Sequence, residues 1–262
     1  MKNRTKLEEA IPLDTPMVCH IELTNVCNFR CAFCATLDDK YCSSIPKGMM
    51  SYTLFTKIVD DLSKFPKKIK RVSFHVAGEP LLNPRAIDMI DYIKRKNIVE
   101  QLVLFTNGSK LTHELSQKLI NTGIDCIQIS IEHVSSDGYK KIVGVDLDYD
   151  GLLENIRYIS DYNKSVGGNT KIFCKILDVG LTDEEKAKFY KDFRGYVDDC
   201  YIEHLLQTLP DSSNRDTTLG RGEHFTQGGL EIVPKQVCTA PFYVLGTQTS
   251  HFKKCLCTLK NQ

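Results

Sequence analysis

The sequence predicts an α/β fold, a partial (β/α)6 barrel of the TIM type with a small cysteine-bearing extension at its C-terminal end. Three observations carry this. Short apolar runs alternate with amphipathic stretches from about residue 17 to residue 205. Repeated strand–helix units demand parallel strands joined by right-handed crossovers, and six strands fall short of a complete eight-stranded barrel. Beyond residue 206 the periodicity stops and cysteines gather.

The predicted strands are Val18–Leu23, Arg71–Val76, Leu102–Phe105, Cys126–Ile131, Lys171–Ile176 and Cys200–Leu205, rich in Val, Ile and Phe. Between them, residues 51–65 place Leu54, Phe55, Ile58, Val59, Leu62 and Phe65 on one helical face behind Ser51 as N-cap. Asn83-Pro84 reads as the cap and first position of the next helix. Further helices are expected at 112–121 and 150–162, and Thr182 with Glu185 has the spacing of a capping box. The Lys-rich Pro66–Arg71 stretch reads as a solvated helix end. In a barrel of this kind the site lies at the C-terminal ends of the strands. Thr24–Cys34, Ala77–Pro80, Thr106–Gly108 and Ser130–His133 therefore share one mouth. Residues 207–229, with Pro210 and several Gly, Ser and Asn, read as a connector without periodicity. Leu230–Val233 and Phe242–Leu245 are short β-like runs within the extension.

Composition excludes several classes. The 262 residues carry 34 Lys plus Arg against 33 Asp plus Glu, a balance that argues against a protein held on nucleic-acid phosphates. No stretch approaches the roughly 18 apolar residues of a membrane span. The polar N-terminus lacks a signal-peptide core, so a cytoplasmic chain is expected. Eleven cysteines in such a chain point to metal or redox chemistry rather than disulfides. Cys19, Cys126, Cys174 and Cys200 lie in or beside apolar strands and read as small core hydrophobes.

Cys27-Asn-Phe-Arg-Cys31-Ala-Phe-Cys34 places three thiols within eight residues, with no fourth ligand nearby. Zinc sites usually pair C-x2-C elements to reach four ligands. Three soft thiolates suit an iron–sulfur cube with one iron left open. An open iron implies reactivity. IELTNVCNFRCAFC, followed in order by AGEPLLNP (77–84), FTNG (105–108) and ISIEH with SSDGYKKIVG (129–133 and 135–144), resembles the radical S-adenosylmethionine superfamily.

That resemblance implies specific roles. Cys27, Cys31 and Cys34 would hold a 4Fe-4S cluster, and S-adenosyl-L-methionine would chelate its fourth iron. Glu79, with Gly78 and the Ala77 carbonyl, would accept hydrogen bonds from the methionine ammonium. Ser130 and Glu132 would hold the ribose hydroxyls or the carboxylate, Phe33 would lie near the adenine, and Asn107 would border the pocket. Several relatives place an Arg where Val143 stands here, so Lys175, Lys140 or Lys141 would meet the carboxylate instead. Reductive cleavage of the cofactor would release a 5′-deoxyadenosyl radical that abstracts hydrogen from a substrate.

Cys238-Thr-Ala-Pro-Phe and the placement of Cys255 resemble the start of a SPASM/twitch extension, which binds auxiliary clusters. The resulting division is a lead-in (1–16), the radical barrel (17–206), a connector (207–232) and a truncated SPASM/twitch-like extension (233–262). Cys238, Cys255 and Cys257 leave an auxiliary iron–sulfur cluster one ligand short. A truncated twitch, a ligand from elsewhere such as Cys42, a vestigial site and structural zinc all remain open. The implied partners are a carbohydrate, aminocyclitol or peptide substrate and an electron donor such as flavodoxin or ferredoxin. The alternative is a non-enzymatic zinc or iron–sulfur protein that carries electrons or binds passively.

Overall fold

Seven parallel strands make a single sheet, with order β6-β5-β4-β3-β2-β1-β7, in a computed structural model that describes residues 12–34, 45–204 and 243–247. The strands are β1 (Val18–Ile21), β2 (Ile69–Phe74), β3 (Val99–Thr106), β4 (Cys126–Ile131), β5 (Lys171–Leu177), β6 (Asp199–Glu203) and β7 (Val244–Thr247). The intervening helices are α1 (Tyr52–Leu62), α2 (Ala86–Lys96), α3 (His113–Asn121), α4 (Ser136–Val143), α5 (Tyr149–Ser165) and α6 (Asp183–Phe193). This is the expected wound α/β barrel with one strand more than the periodicity indicated.

The helices form where capping and pattern agree. Ser51, Thr112, Ser135 and Thr182 each cap a helix by accepting from a backbone N–H three residues on, and Thr182 with Glu185 completes the capping box. Helix α1 buries Phe55, Ile58, Val59 and Leu62 against the sheet. Leu54 and Phe65, expected on the same face, are instead exposed. Cys19, Cys126, Cys174 and Cys200 are buried as expected.

Three further expectations are corrected. The seventh strand comes from the Phe242–Leu245 region that had been assigned to the extension. Val244–Thr247 runs parallel to β1, pairing Val18 with Val244 and Ile21 with Thr247, and so covers the otherwise open β1 edge. Asn83 caps no α-helix, because α2 starts at Ala86 behind Arg85. It ends a 3-10 turn, Pro80–Leu82, and its buried amide donates to Leu23 O (2.9 Å) and Met50 O (3.0 Å). Finally, the Pro66–Arg71 stretch is not a helix end: α1 stops at Leu62, and Ile69–Arg71 already belong to β2.

The connector, and the extension apart from residues 243–247, lie outside the described residues, as do Cys42, Cys238, Cys255 and Cys257. No described helix is long and apolar enough to cross a membrane.

Asn83 ties the end of β1 to the segment preceding α1, so Asn83→Ala removes a buried donor from Met50 O and one of the two donors to Leu23 O. The expected loss is about 2–4 kcal/mol, read as a lower urea midpoint at unchanged slope.

Candidate functional site

A backbone contact locks the loop leaving β1 against the end of β2 at the mouth. Gly78 adopts φ +75°, and a Cβ there would collide with the Thr24 carbonyl and stand 2.7 Å from Val26 O. Only glycine fits this approach. The Glu79 N–H then donates to Val26 O at 2.8 Å. From the β1 side, Asn25 holds the 46–48 segment by donating to Pro46 O (2.9 Å) and accepting from Gly48 N (2.7 Å).

Glu79 carries the lock on to β3. It is 2% exposed. Its carboxylate accepts from Leu81 N (3.0 Å), the Thr106 hydroxyl (2.7 Å) and Asn107 N (2.6 Å). Burial pushes its pKa above the ordinary carboxylate range, opposed by these three donors. A carboxylate has about four acceptor positions, so roughly one remains for a ligand ammonium. Asn107 extends the network: its Nδ2 donates to Asn28 Oδ1 (3.0 Å) and lies 3.9 Å from Cys27 Sγ. Its Oδ1 accepts from Ser109 N (3.0 Å).

The cysteine loop is clamped by α4. Arg30 N donates to Val143 O (2.9 Å) and Ala32 N to Ile142 O (3.0 Å), using carbonyls that the helix end leaves unpaired. Phe29 is buried edge-on against Tyr139, with ring centroids 6.0 Å apart. Val143 is fully buried, so its side chain faces the core and no ligand. On this loop Cys27 is exposed and Cys31 and Cys34 are half-buried, and none of them forms a disulfide. Phe33 is half-buried between them.

Burial raises the Cys27 and Cys31 thiol pKa values, with Glu132 and the neighbouring thiols adding to it. Thiols in such a setting ionise when a cation compensates them, and soft thiolate donors suit iron. Among the described residues no three His, Cys, Asp or Glu side chains converge on a single metal ion. By chemistry, three soft thiol donors on one loop fit an iron–sulfur cluster.

The remaining sequence-derived residues are placed around the barrel mouth. Ala77 is half-buried beside Gly78. Ser130 and Lys175 are register partners on β4 and β5. Burial holds Glu132 up at about 7, opposed by Lys175. Lys175 Nζ is committed to Glu203 Oε2 at 2.8 Å, and Lys140 to Asp146 at 2.8 Å on the surface. Neither lysine is thus a free carboxylate partner. Sequence reasoning set Thr106 and Asn28 at the mouth without assigning them a role, and it missed Ser109. The Asn107-Gly108 turn was their signal, since such a turn aims consecutive polar groups back at one point.

It also missed the imidazoles of His20 on β1 and of His75, the residue after β2. His20 and His75 stack at 4.5 Å, and His75 meets the Phe105 ring at 4.7 Å. Burial, with the charges of His20, Arg71 and Lys175, holds His75 down at about 4.

Comparison with known proteins agrees with this geometry. The model of the radical SAM superfamily matches residues 21–210, and the chain belongs to that superfamily. It is 36% identical over 202 residues to the tungsten-containing aldehyde ferredoxin oxidoreductase cofactor-modifying protein of Pyrococcus furiosus, covering 74% of this chain and 53% of that one. It is 31% identical over 144 residues to a probable GTP 3′,8-cyclase of Thermococcus kodakarensis, covering 53% and 44%. The chain spans about half the length of these curated relatives. In fold it is similar to Streptococcus suis SuiB bound to the precursor peptide SuiA, with TM-score 0.59 at 15% identity over 75% of this chain and 41% of that one. It is also similar to anSMEcpe with bound AdoMet, with TM-score 0.52 at 18% identity over 71% and 49%.

Two outcomes are expected. Glu79→Ala leaves the Leu81 and Asn107 N–H groups buried without an acceptor, at a cost of about 3 kcal/mol or more. Thermal unfolding should show a large loss for Ala and a smaller one for Gln, which keeps one acceptor oxygen. The second concerns acid. His75 is harder to protonate folded than unfolded, so its contribution is complete above about pH 6.5 and is lost as pH falls toward about 4. Near pH 5 this amounts to on the order of 2 kcal/mol. Urea unfolding of His75→Gln should therefore lose less stability between neutral pH and about pH 5 than the wild type does.

Proposed function

We propose that the chain is a radical S-adenosylmethionine enzyme whose Cys27, Cys31 and Cys34 hold a 4Fe-4S cluster at the mouth of the barrel. The observation that carries this is the lock joining the cysteine loop to the Gly78-Glu79 strand end, since it sets three thiols beside a backbone fit for an amino-acid head group. The bound cluster and cofactor would supply the electron and the C5′–S cleavage that generate a 5′-deoxyadenosyl radical.

The chain's own residues do the positioning. The Ala77 carbonyl, and the acceptor position left on Glu79, receive the methionine ammonium. Asn107 directs an amide N–H toward Cys27 Sγ, and such hydrogen bonds to sulfur adjust cluster potential. Ser130 and Glu132 stand at the end of β4 for the ribose hydroxyls or the carboxylate, and Phe33 for the adenine. Glu132, raised to about 7, can hold or release a proton there near neutral pH. The half-buried lumen below receives the substrate, which must be shielded from water if a carbon radical is to survive.

The substrate is a small molecule or a peptide. The names of the relatives, a cofactor-modifying protein and GTP 3′,8-cyclases, favour a small molecule, while the fold neighbour bound to a precursor peptide keeps the peptide in view. An electron donor such as flavodoxin or ferredoxin would reduce the cluster. Cys238, Cys255 and Cys257 remain candidates for an auxiliary cluster.

Anaerobically reconstituted protein should convert S-adenosylmethionine to 5′-deoxyadenosine under a strong reductant, and Cys31→Ala should abolish this. Bound zinc without 5′-deoxyadenosine would instead support the passive metal protein. The same preparation should carry about four irons, or about eight with an auxiliary cluster.

A further inference from the structure

Strands β1 to β6 send alternate side chains outward to the helices and inward to the lumen. The outward set is apolar and buried, with Cys19, Val72, Phe74, Leu104, Ile129 and Cys174 all at 0% exposure. Barrels of this kind usually fill the lumen with branched apolar side chains as well. Here His20, Arg71, His75, Phe105 and Lys175 occupy inward positions and are all half-buried. Their contacts bear out the register. His20 Nδ1 lies 2.6 Å from Ser73 Oγ, and the Arg71 guanidinium stands 5.8 Å from the centroid of the Phe105 ring.

Several carboxylates around this lumen have partners of their own, and Glu22, just past β1, is buried. Glu203 is committed to Lys175 at 2.8 Å, and the carboxylates near the other strand ends are committed too: Asp125 to Lys94 at 2.8 Å and Asp198 to Lys171 at 2.7 Å. Glu132 stands at the mouth, close enough to bear on Cys27 and Cys31. Among the described residues no carboxylate or hydrogen-bond acceptor meets the Arg71 side chain. The planar fork of its guanidinium is suited to bidentate oxyanions, and partial burial strengthens such a contact.

We propose that Arg71, flanked by His20 and His75, is a subsite for an oxyanion of the substrate, a carboxylate or a phosphate. In the tautomer whose Nδ1 accepts from the Ser73 hydroxyl, the His20 proton resides on Nε2 and is available to an anion. His20 and His75 are held neutral by burial and by the Arg71 charge, so they serve as neutral donors, and a seated anion would raise both pKa values. This assignment rests on the radical-enzyme reading only in supposing that substrate enters the lumen.

The test uses the full-length reconstituted protein and calorimetric titration with inorganic pyrophosphate in one arm and succinate in the other. At least one probe should bind one-to-one to the wild type, and the arm that binds identifies the oxyanion. Arg71→Gln should weaken that binding at least tenfold, and Arg71→Lys, which keeps the charge without the fork, should fall between. In wild-type protein near pH 6, the bound probe should shift the His75 imidazole resonances toward the protonated form. If neither anion binds, or if Arg71→Gln and Arg71→Lys both bind as the wild type does, the subsite is refuted. The reaction class is read separately: 5′-deoxyadenosine without anion binding rejects the subsite alone, and anion binding without 5′-deoxyadenosine rejects the reaction class alone.

Discussion

The close approach of Gly78 to the Thr24–Val26 backbone is the constraint on which the rest of the mouth depends. It brings the end of β2 against the loop that leaves β1, at a separation no side chain permits. Once that contact is made, the Glu79 carboxylate falls where Thr106 and Asn107 can both donate to it, so β3 is drawn into the same lock. Three strand ends far apart in sequence become one rigid unit. A site that must hold a cofactor in one orientation needs such a support.

The cysteine loop gains a second anchor from α4, whose terminal carbonyls accept from Arg30 and Ala32 while Phe29 packs on Tyr139. The thiols thus sit on backbone fixed at both ends, yet they are only partly covered. That combination suits a cluster that must be held firmly and still be reached by cofactor and reductant. Burial is the main cause of the raised thiol pKa values, so the thiolates form when a bound cation compensates them.

The barrel divides its two faces by chemistry. Outward residues of every central strand meet helices and are apolar, which supplies the hydrophobic burial that holds the fold. Inward positions mix apolar Val103, Phe105 and Phe173 with imidazole, guanidinium, ammonium, amide and phenol groups. Some of these pair across neighbouring strands, as Gln128 does with the Tyr201 hydroxyl and Lys175 with Glu203. The hydrophobic burial that holds the fold is therefore concentrated in the outer layer.

The sequence by itself determined six of the seven strands, the order of the motifs and the identity of the thiols. These depend on local pattern: the short apolar run Cys126–Ile131, the cap at Ser51, the capping box at Thr182, and three cysteines within one loop. Only the tertiary structure decided what those residues touch. Val244–Thr247 pairs with β1, more than two hundred residues away in sequence, because an open parallel edge leaves backbone groups unpaired, and periodicity carries no record of that. Asn83 looked like a helix cap because capping is local, but its amide serves two distant carbonyls. Arg71 looked like part of a solvated basic run because charge runs usually are. Strand alternation turned it inward, next to His20 and His75. The direction in which a side chain points is set by strand register and barrel closure, and neither is encoded within the few residues around it.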